Sequence, residues 1–396
     1  MAARPPTEGR MSSDRHVIAF GLGVLLVAAL VVFLPDLTPP AGVGLISDQA
    51  HGVIVTIAPA TGPQGPTGTV KFLDGPQAGQ TVPATIEGPS GALQIPDYHV
   101  GDQVLVAIDH LPDGTAQVSV VDRWRLPLVG GLVGLFALVT IAVAGWRGLR
   151  ALVSLALTLV LAIRVLIPLL LSGWQPVGLA ISLGVLITAV SFLLTQGFTR
   201  TTLAALLGTS IGLGLTGLLA VLVTGLAQFT PAQGSETVIY LQQIVGDKID
   251  LSGLLLAAVI FGALGVLNDV AIGQAATVEE LALADPGLTR RELYGRAMNV
   301  GVAHLAATVN TLVFAYLGTA LPLLVLLSLQ LQQFSLSVNQ ELVAVEIVRA
   351  AVGSIGILAA VPATTAIAAW WHDRPEPAPL NRATAGVVAP AATADR

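Results

Sequence analysis

Apolar runs long enough to cross a bilayer recur along the chain, and after the first of them the pattern changes period. The first run, Val17 to Leu34, is 18 residues without a charged side chain. A helix rising ~1.5 Å per residue needs about 20 such residues to cross a ~30 Å hydrocarbon core. Further runs lie at about 127–146, 151–171, 176–195, 202–228, 251–274, 298–320 and 344–371. The pattern predicts an α-helical polytopic membrane protein with about eight transmembrane helices. Residues 1–16 read as a cytoplasmic tail carrying Arg4, Arg10 and Arg15, and no A-x-A site follows the run at 17–34, so that run reads as an uncleaved signal anchor.

Between the first two runs the period is two. Residues 48–125 hold short stretches such as GVIVTIAP, GTVKFLD, QTVPATIEG, DQVLVAID and AQVSVVD, separated by Gly, Pro and Asp. Five or six strands in this length predict a small extracytoplasmic all-β barrel of OB or SH3 type, inserted after the first helix. Such a barrel can bind a ligand or an envelope protein partner through residues 48–122, or serve as a folded cap. His51 and His110 have no second imidazole or cysteine at ligand spacing, so no metal site is expected.

Two segments depart from the spanning length. Leu321 to Phe334 is apolar but only 14 residues long, with Pro322 near its start and three glutamines near its end. At ~1.5 Å per residue it covers roughly 21 Å, which predicts a re-entrant or interfacial helix. The loop from Gln228 to Ile249 is a polar excursion, and residues 372–396 read as a Pro- and Ala-rich disordered tail.

Composition sharpens the class. The chain is 54% hydrophobic and 11% charged, against roughly 25% charged residues in soluble domains. A net charge of −6 points away from nucleic acid, and the absence of cysteine excludes disulfides and thiolate metal sites. With both termini inside, twelve arginines fall on the cytoplasmic side and four basic residues (Lys71, Arg123, Arg125 and Lys248) fall outside. That asymmetry satisfies the positive-inside rule.

Candidate chemistry is sparse. The seven-helix region, 127–371, holds one acid deep in an apolar run, Asp269. At 100° per residue Gly262, Gly265, Asp269, Gly273 and Ala276 fall within about 80° of one helix face. Small residues let helices approach closely in lipid and an ionisable group there turns toward protein or a wet cavity, so this face is expected to be buried. On the next run Asn299, Ala303, Ala306, Ala307 and Asn310 share one face, while His304, Thr308 and Thr311 share a second; Gly301 adds a packing glycine. Asp269 and His304 lie five and six residues from the same membrane surface, each roughly 8–9 Å deep, so they can meet. Arg164 misses Asp269 by about 10 Å or more in straight helices. Glu346 and Arg349 are three apart and can neutralise each other at the outer rim, with Arg164 pointing toward them or snorkelling outward.

The spacing of GALGVLNDV, the acid-and-base loop that follows, and VNTLVFAYLGTALPLL resembles the YibE/F-like family of bacterial membrane proteins. The resemblance covers most of the chain and is most specific from Gly262 to Leu324. It implies the architecture above, and it implies a second acid where Asn268 stands and an Arg-Asp pair where Val302 and Ala303 stand. This sequence lacks both, which leaves Asp269, Asn299, Gly301, His304, Asn310 and Thr311 of a richer polar site.

Three function classes follow. A permease for a small solute or ion accounts for the lone membrane acid and the glycine-rich helix. A membrane scaffold or envelope assembly factor accounts for the exported barrel. An intramembrane enzyme is the weakest, since no G-x-G-D pair, H-E-x-x-H or Ser-His dyad is present; no P-loop is present either, and no cofactor is expected.

Overall fold

A computed structural model of the chain describes residues 48–58, 66–87, 96–110, 115–229, 249–329 and 338–372, together with 241, 242, 246 and 336. The expected first span at 17–34, the two terminal tails, most of the 228–249 excursion and residues 330–335 lie outside the described residues. The chain divides into two compact units with their boundary between Leu152 and Val153.

In the first unit the period-two stretches form five strands: β1 (Asp48–Ala58), β2 (Thr67–Phe72), β3 (Thr81–Ile86), β4 (Gln103–His110) and β5 (Ala116–Arg123). They close into a barrel in the order β1-β2-β3-β5-β4, with β1 pairing back onto β4. All neighbours are antiparallel except β3 and β5, which run parallel through Thr85↔Ser119 and Ile86↔Val120. This order is that of the OB type and decides between the two small barrels the strand pattern allowed. Alternate residues point inward, so Ile54, Val70, Phe72, Ala84, Ile86, Val104, Val106 and Val120 form the barrel core. Below the barrel the Trp124 indole stacks on the His51 ring at 4.0 Å, and Arg125 pairs with Asp122 at 2.7 Å.

Helix α1 (Leu126–Leu161) continues through a π turn (Ala162–Leu166) into α2 (Ile167–Leu171). Those 46 residues would measure about 69 Å as one straight rod, more than twice a ~30 Å core. Gly145 breaks the rod: its φ of 55° and ψ of −133° are non-helical, a conformation open to glycine because it has no Cβ. Past the break, in the second unit, Ser154 donates to Ser191 at 2.8 Å, and Leu157 packs with Val190 and Leu194.

The second unit is a bundle of α3 (Pro176–Gln196), α4 (Arg200–Ala227), α5 (Leu251–Ala284), α6 (Arg290–Thr319), α7 (Leu321–Ser328) and α8 (Glu341–Trp371). Six of the described helices, with α1 and α2 counted as one, are long and apolar enough to cross a membrane. The closest packing joins α4 to α8. Gly208 sits against the Thr364 side chain, Gly356 against Thr216, and a Cβ on Gly212 would come within 3.0 Å of the Gly356 carbonyl. Small residues four apart on both helices, Gly208, Gly212 and Thr216 facing Gly356, Ala360 and Thr364, create that approach.

The charged stretch between α5 and α6 is more helical than a connecting loop. Residues 275–284 keep apolar positions at Val278, Leu281 and Ala282 among good helix formers, so α5 runs on to Ala284. Helix α6 then starts at a capping box in which Thr289 and Glu292 bond each other's backbone. Val278, Ala282, Leu293, Ala297 and Ala369 seal the hairpin, and Arg296 reaches Asp285 at 3.4 Å across the turn.

Candidate functional site

Asp269 is built into α5 by a division of that helix into two arcs. One arc, carrying Ala263, Leu264, Leu267, Val270, Ala271, Gln274 and Ala275, is buried in the bundle. The opposite stripe of Gly262, Gly265, Asp269, Gly273 and Ala276 is exposed at every position. The expectation that this small-residue face is buried in protein is therefore corrected for the described chain. The bulkier apolar arc offers more area to bury, and α3, α4 and α8 take it. Within the stripe the glycines differ. The Tyr316 hydroxyl lies 3.1 Å from where a Gly262 Cβ would be, whereas nothing among the described residues lies within 4 Å of one at Gly265 or Gly273.

The register between α5 and α6 is set at two levels. The Gln274 amide donates to the Ala297 carbonyl at 2.9 Å and to the Thr365 hydroxyl of α8 at 2.8 Å, joining three helices. Gly301 makes room for it, since a Cβ there would lie 2.7 Å from Gln274 Oε1 and 2.9 Å from Val361. At the other end Gly262 meets Tyr316. An antiparallel pair fixed at those two points brings His304 to the level of Asp269. No hydrogen bond or ion pair joins the two side chains, and among the described residues the Asp269 carboxylate has neither. His304 is exposed, as are Thr311, Asn299 and Asn310. Asn299 and Asn310 stand on the side of α6 away from its buried row of Leu293, Ala297, Gly301, Leu305 and Leu312.

Asn268, next to Asp269, belongs to the framework: its Oδ1 accepts from the buried Thr188 hydroxyl of α3 at 2.9 Å. Further charges lie toward the other end of the bundle. Glu346 and Arg349 of α8 pair at 3.0 Å, and Arg349 Nε and the Tyr316 hydroxyl are buried without a hydrogen-bond partner among the described residues. Arg164 sits exposed on the π turn after α1. A π turn re-aims the side chains it carries.

Gln274, Tyr316, Thr188 and Thr365 are missing from the residues the sequence singles out. A signal for the first was present: Gln274 is the one glutamine of α5, five residues past Asp269. A cavity of about 240 Å³ opens elsewhere, lined by Arg200, Thr201, Glu279, Trp371 and His372 among others, with Thr201 donating to Glu279 at 2.6 Å. Asp269 is not among its lining residues. Among the described residues no three His, Asp or Glu side chains gather closely enough to hold a metal.

No curated protein and no solved structure matches the chain. The YibE/F-like protein family matches residues 132–374, more than half of the chain and all of the bundle from α3 to α8. The chain belongs to the YibE/F-like protein family.

Proposed function

We propose that the protein is a permease-like membrane protein that passes a small solute or ion by an intramembrane carboxylate, Asp269, with the His304 imidazole as its neighbour. The observation that carries this reading is the state of Asp269 itself. It lies within a membrane-length helix, level with His304 and with no hydrogen bond or ion pair among the described residues. An ionisable group is costly in hydrocarbon and is retained there for a path, a relay or a binding site. Gly265 and Gly273 flank it with no packing partner among the described residues, which leaves α5 free to bend at the site, as discontinuous helices do in transporters.

The topology that goes with this reading has eight spans. The run at 17–34 is the first, α1 supplies two by breaking at Gly145, and the remaining five are α3, α4, α5, α6 and α8. The termini face the cytoplasm of a bacterium and the barrel lies outside the inner membrane. The role is non-catalytic.

A second reading, an envelope assembly or scaffold factor acting through the barrel, is favoured by one observation: the barrel is closed and has a core of its own. Flux of a panel of ions and metabolites through proteoliposomes separates the two. With the permease reading, Asp269→Asn abolishes flux while the melting temperature changes little. An Asn variant that stays active and melts higher sinks the site, because it shows that only an unneeded charge was removed.

A further inference from the structure

The face of α6 turned away from the bundle carries a pattern that the Asp269 reading does not use. Asn299, Ala303, Ala306, Asn310, Val313 and Leu317 follow one another at alternating steps of four and three, and all six are exposed. At 100° per residue they fall within about 80°, roughly opposite the buried row of the same helix. Alternating steps of three and four make the seam of a left-handed helix pair, and the alanines at its centre let two backbones approach. Among the described residues neither Asn299 nor Asn310 makes a hydrogen bond. Asn310 lies about 18 Å into the run at 298–320, where a side-chain amide facing lipid has nothing to bond, while Asn299 stands at the inner edge of that run.

We infer that this seam is the contact with a second copy of the chain, the two α6 helices packing in parallel about a two-fold axis along the membrane normal. Copies inserted the same way present each residue to its own counterpart at the same depth. That geometry suits an amide, which is donor and acceptor at once, so Asn299 bonds Asn299 of the other copy, and Asn310 likewise about 16 Å deeper along the helix. Asparagines at seam positions fix register and the number of strands. The two apolar stretches before residue 145 lack this chemistry. Residues 17–34 hold no polar side chain and 126–144 hold only Thr140, which already donates to the Phe136 carbonyl. His304 and Thr311 lie outside the seam, so pairing of copies and flux at Asp269 stand or fall separately.

The chain has no cysteine, so single cysteines report directly. The full-length protein carrying Ala303→Cys or Ala306→Cys is oxidised in membrane vesicles and run without reductant. Both give a product of twice the monomer mass, at about tenfold the yield of Val300→Cys, which is equally exposed but off the seam. Adding Asn299→Ala and Asn310→Ala to the Ala306→Cys chain lowers the yield about fivefold, and replacing both with Gln instead preserves part of it. Asp269→Asn leaves the yield unchanged. The inference is overturned by no product, by equal yield from Val300→Cys, or by an unchanged yield in the double alanine variant. It is also overturned if Ala306→Cys is captured within one chain by a cysteine placed at Ala28 or Gly134, which would give the seam to the chain's own apolar stretches.

Discussion

A glycine in a membrane helix is either a site of close approach or a gap, and the two respond oppositely to a methyl group. At Gly301 the added Cβ would press on Gln274 Oε1 at 2.7 Å and Val361 at 2.9 Å. The Gln274 amide is held by two hydrogen bonds and cannot easily withdraw. Gly301→Ala is therefore expected to destabilise the bundle by about 1–3 kcal/mol, the usual cost of overpacking. At Gly265 nothing among the described residues lies within 4 Å of an added Cβ, so Gly265→Ala gains helix propensity of up to ~1 kcal/mol without a clash. Thermal unfolding of the two variants in one detergent checks the contrast, and a Gly265 variant that melts lower than the parent refutes the open face.

The same residues show what could be read in advance. Counting positions put Asp269 and His304 level with each other along the α5–α6 pair, as its register does, because helix rise is constant and each lies a similar distance from a shared turn. Periodicity also put Gly262, Gly265, Asp269 and Gly273 on one face. It could not say whether that face meets protein, because burial depends on which neighbour arrives. Here the apolar arc took the neighbours and the glycine stripe stayed open. The glycines of closest packing, Gly208 and Gly356, had an equally visible spacing with Gly212 and Ala360. They lacked a charged residue to draw attention to them.

At the scale of elements, strand periodicity and glycine punctuation carried the most information. Alternation along β1 to β5 foretold a barrel, but the choice of OB over SH3 rests on the parallel β3 and β5 pair, a long-range contact no local pattern encodes. Its junction to α1 is electrostatic: the Arg125 guanidinium hydrogen-bonded to Asp122 holds that carboxyl below the usual carboxylate range. A carboxyl depressed in the folded state stabilises above its unfolded pKa and loses that contribution as pH falls through the folded value. A soluble fragment of residues 47–126 is expected to show β circular dichroism and one cooperative melt. Its melting temperature should fall on acidification below about pH 4, and less steeply in Asp122→Asn. The effect is small, because the pair is partly exposed and solvent screens it. An aggregated or unfolded fragment at neutral pH would mean that the barrel needs the membrane part. In α1 the decisive element is the break: Gly145→Ala strains a left-handed φ by about 1–2 kcal/mol, so it should lower thermal stability or straighten the helix.

For the whole molecule the open question is which way the bundle faces. Charge provides the argument. The arginines at the α5–α6 turn, Arg290, Arg291 and Arg296, share a sign with Arg147, Arg150 and Arg200 and with the three in residues 1–16. Basic residues near span ends are retained on the cytoplasmic side. In the proposed eight-span topology the chain turns back at the Gly145 break, so residues 126–144 would run inward and the chain from 146 would run out again, with Arg147 and Arg150 at the inner turn. If the rod crossed once instead, every later loop would change sides, and the α5–α6 turn with its arginines would be exported along with the barrel or the barrel would be held inside. Alkaline phosphatase fused after Asp122 is expected to be active, and green fluorescent protein fused after His372 is expected to fluoresce. A phosphatase-active fusion within the α5–α6 turn, at Gly287, would contradict both the charge argument and the two crossings on either side of Gly145.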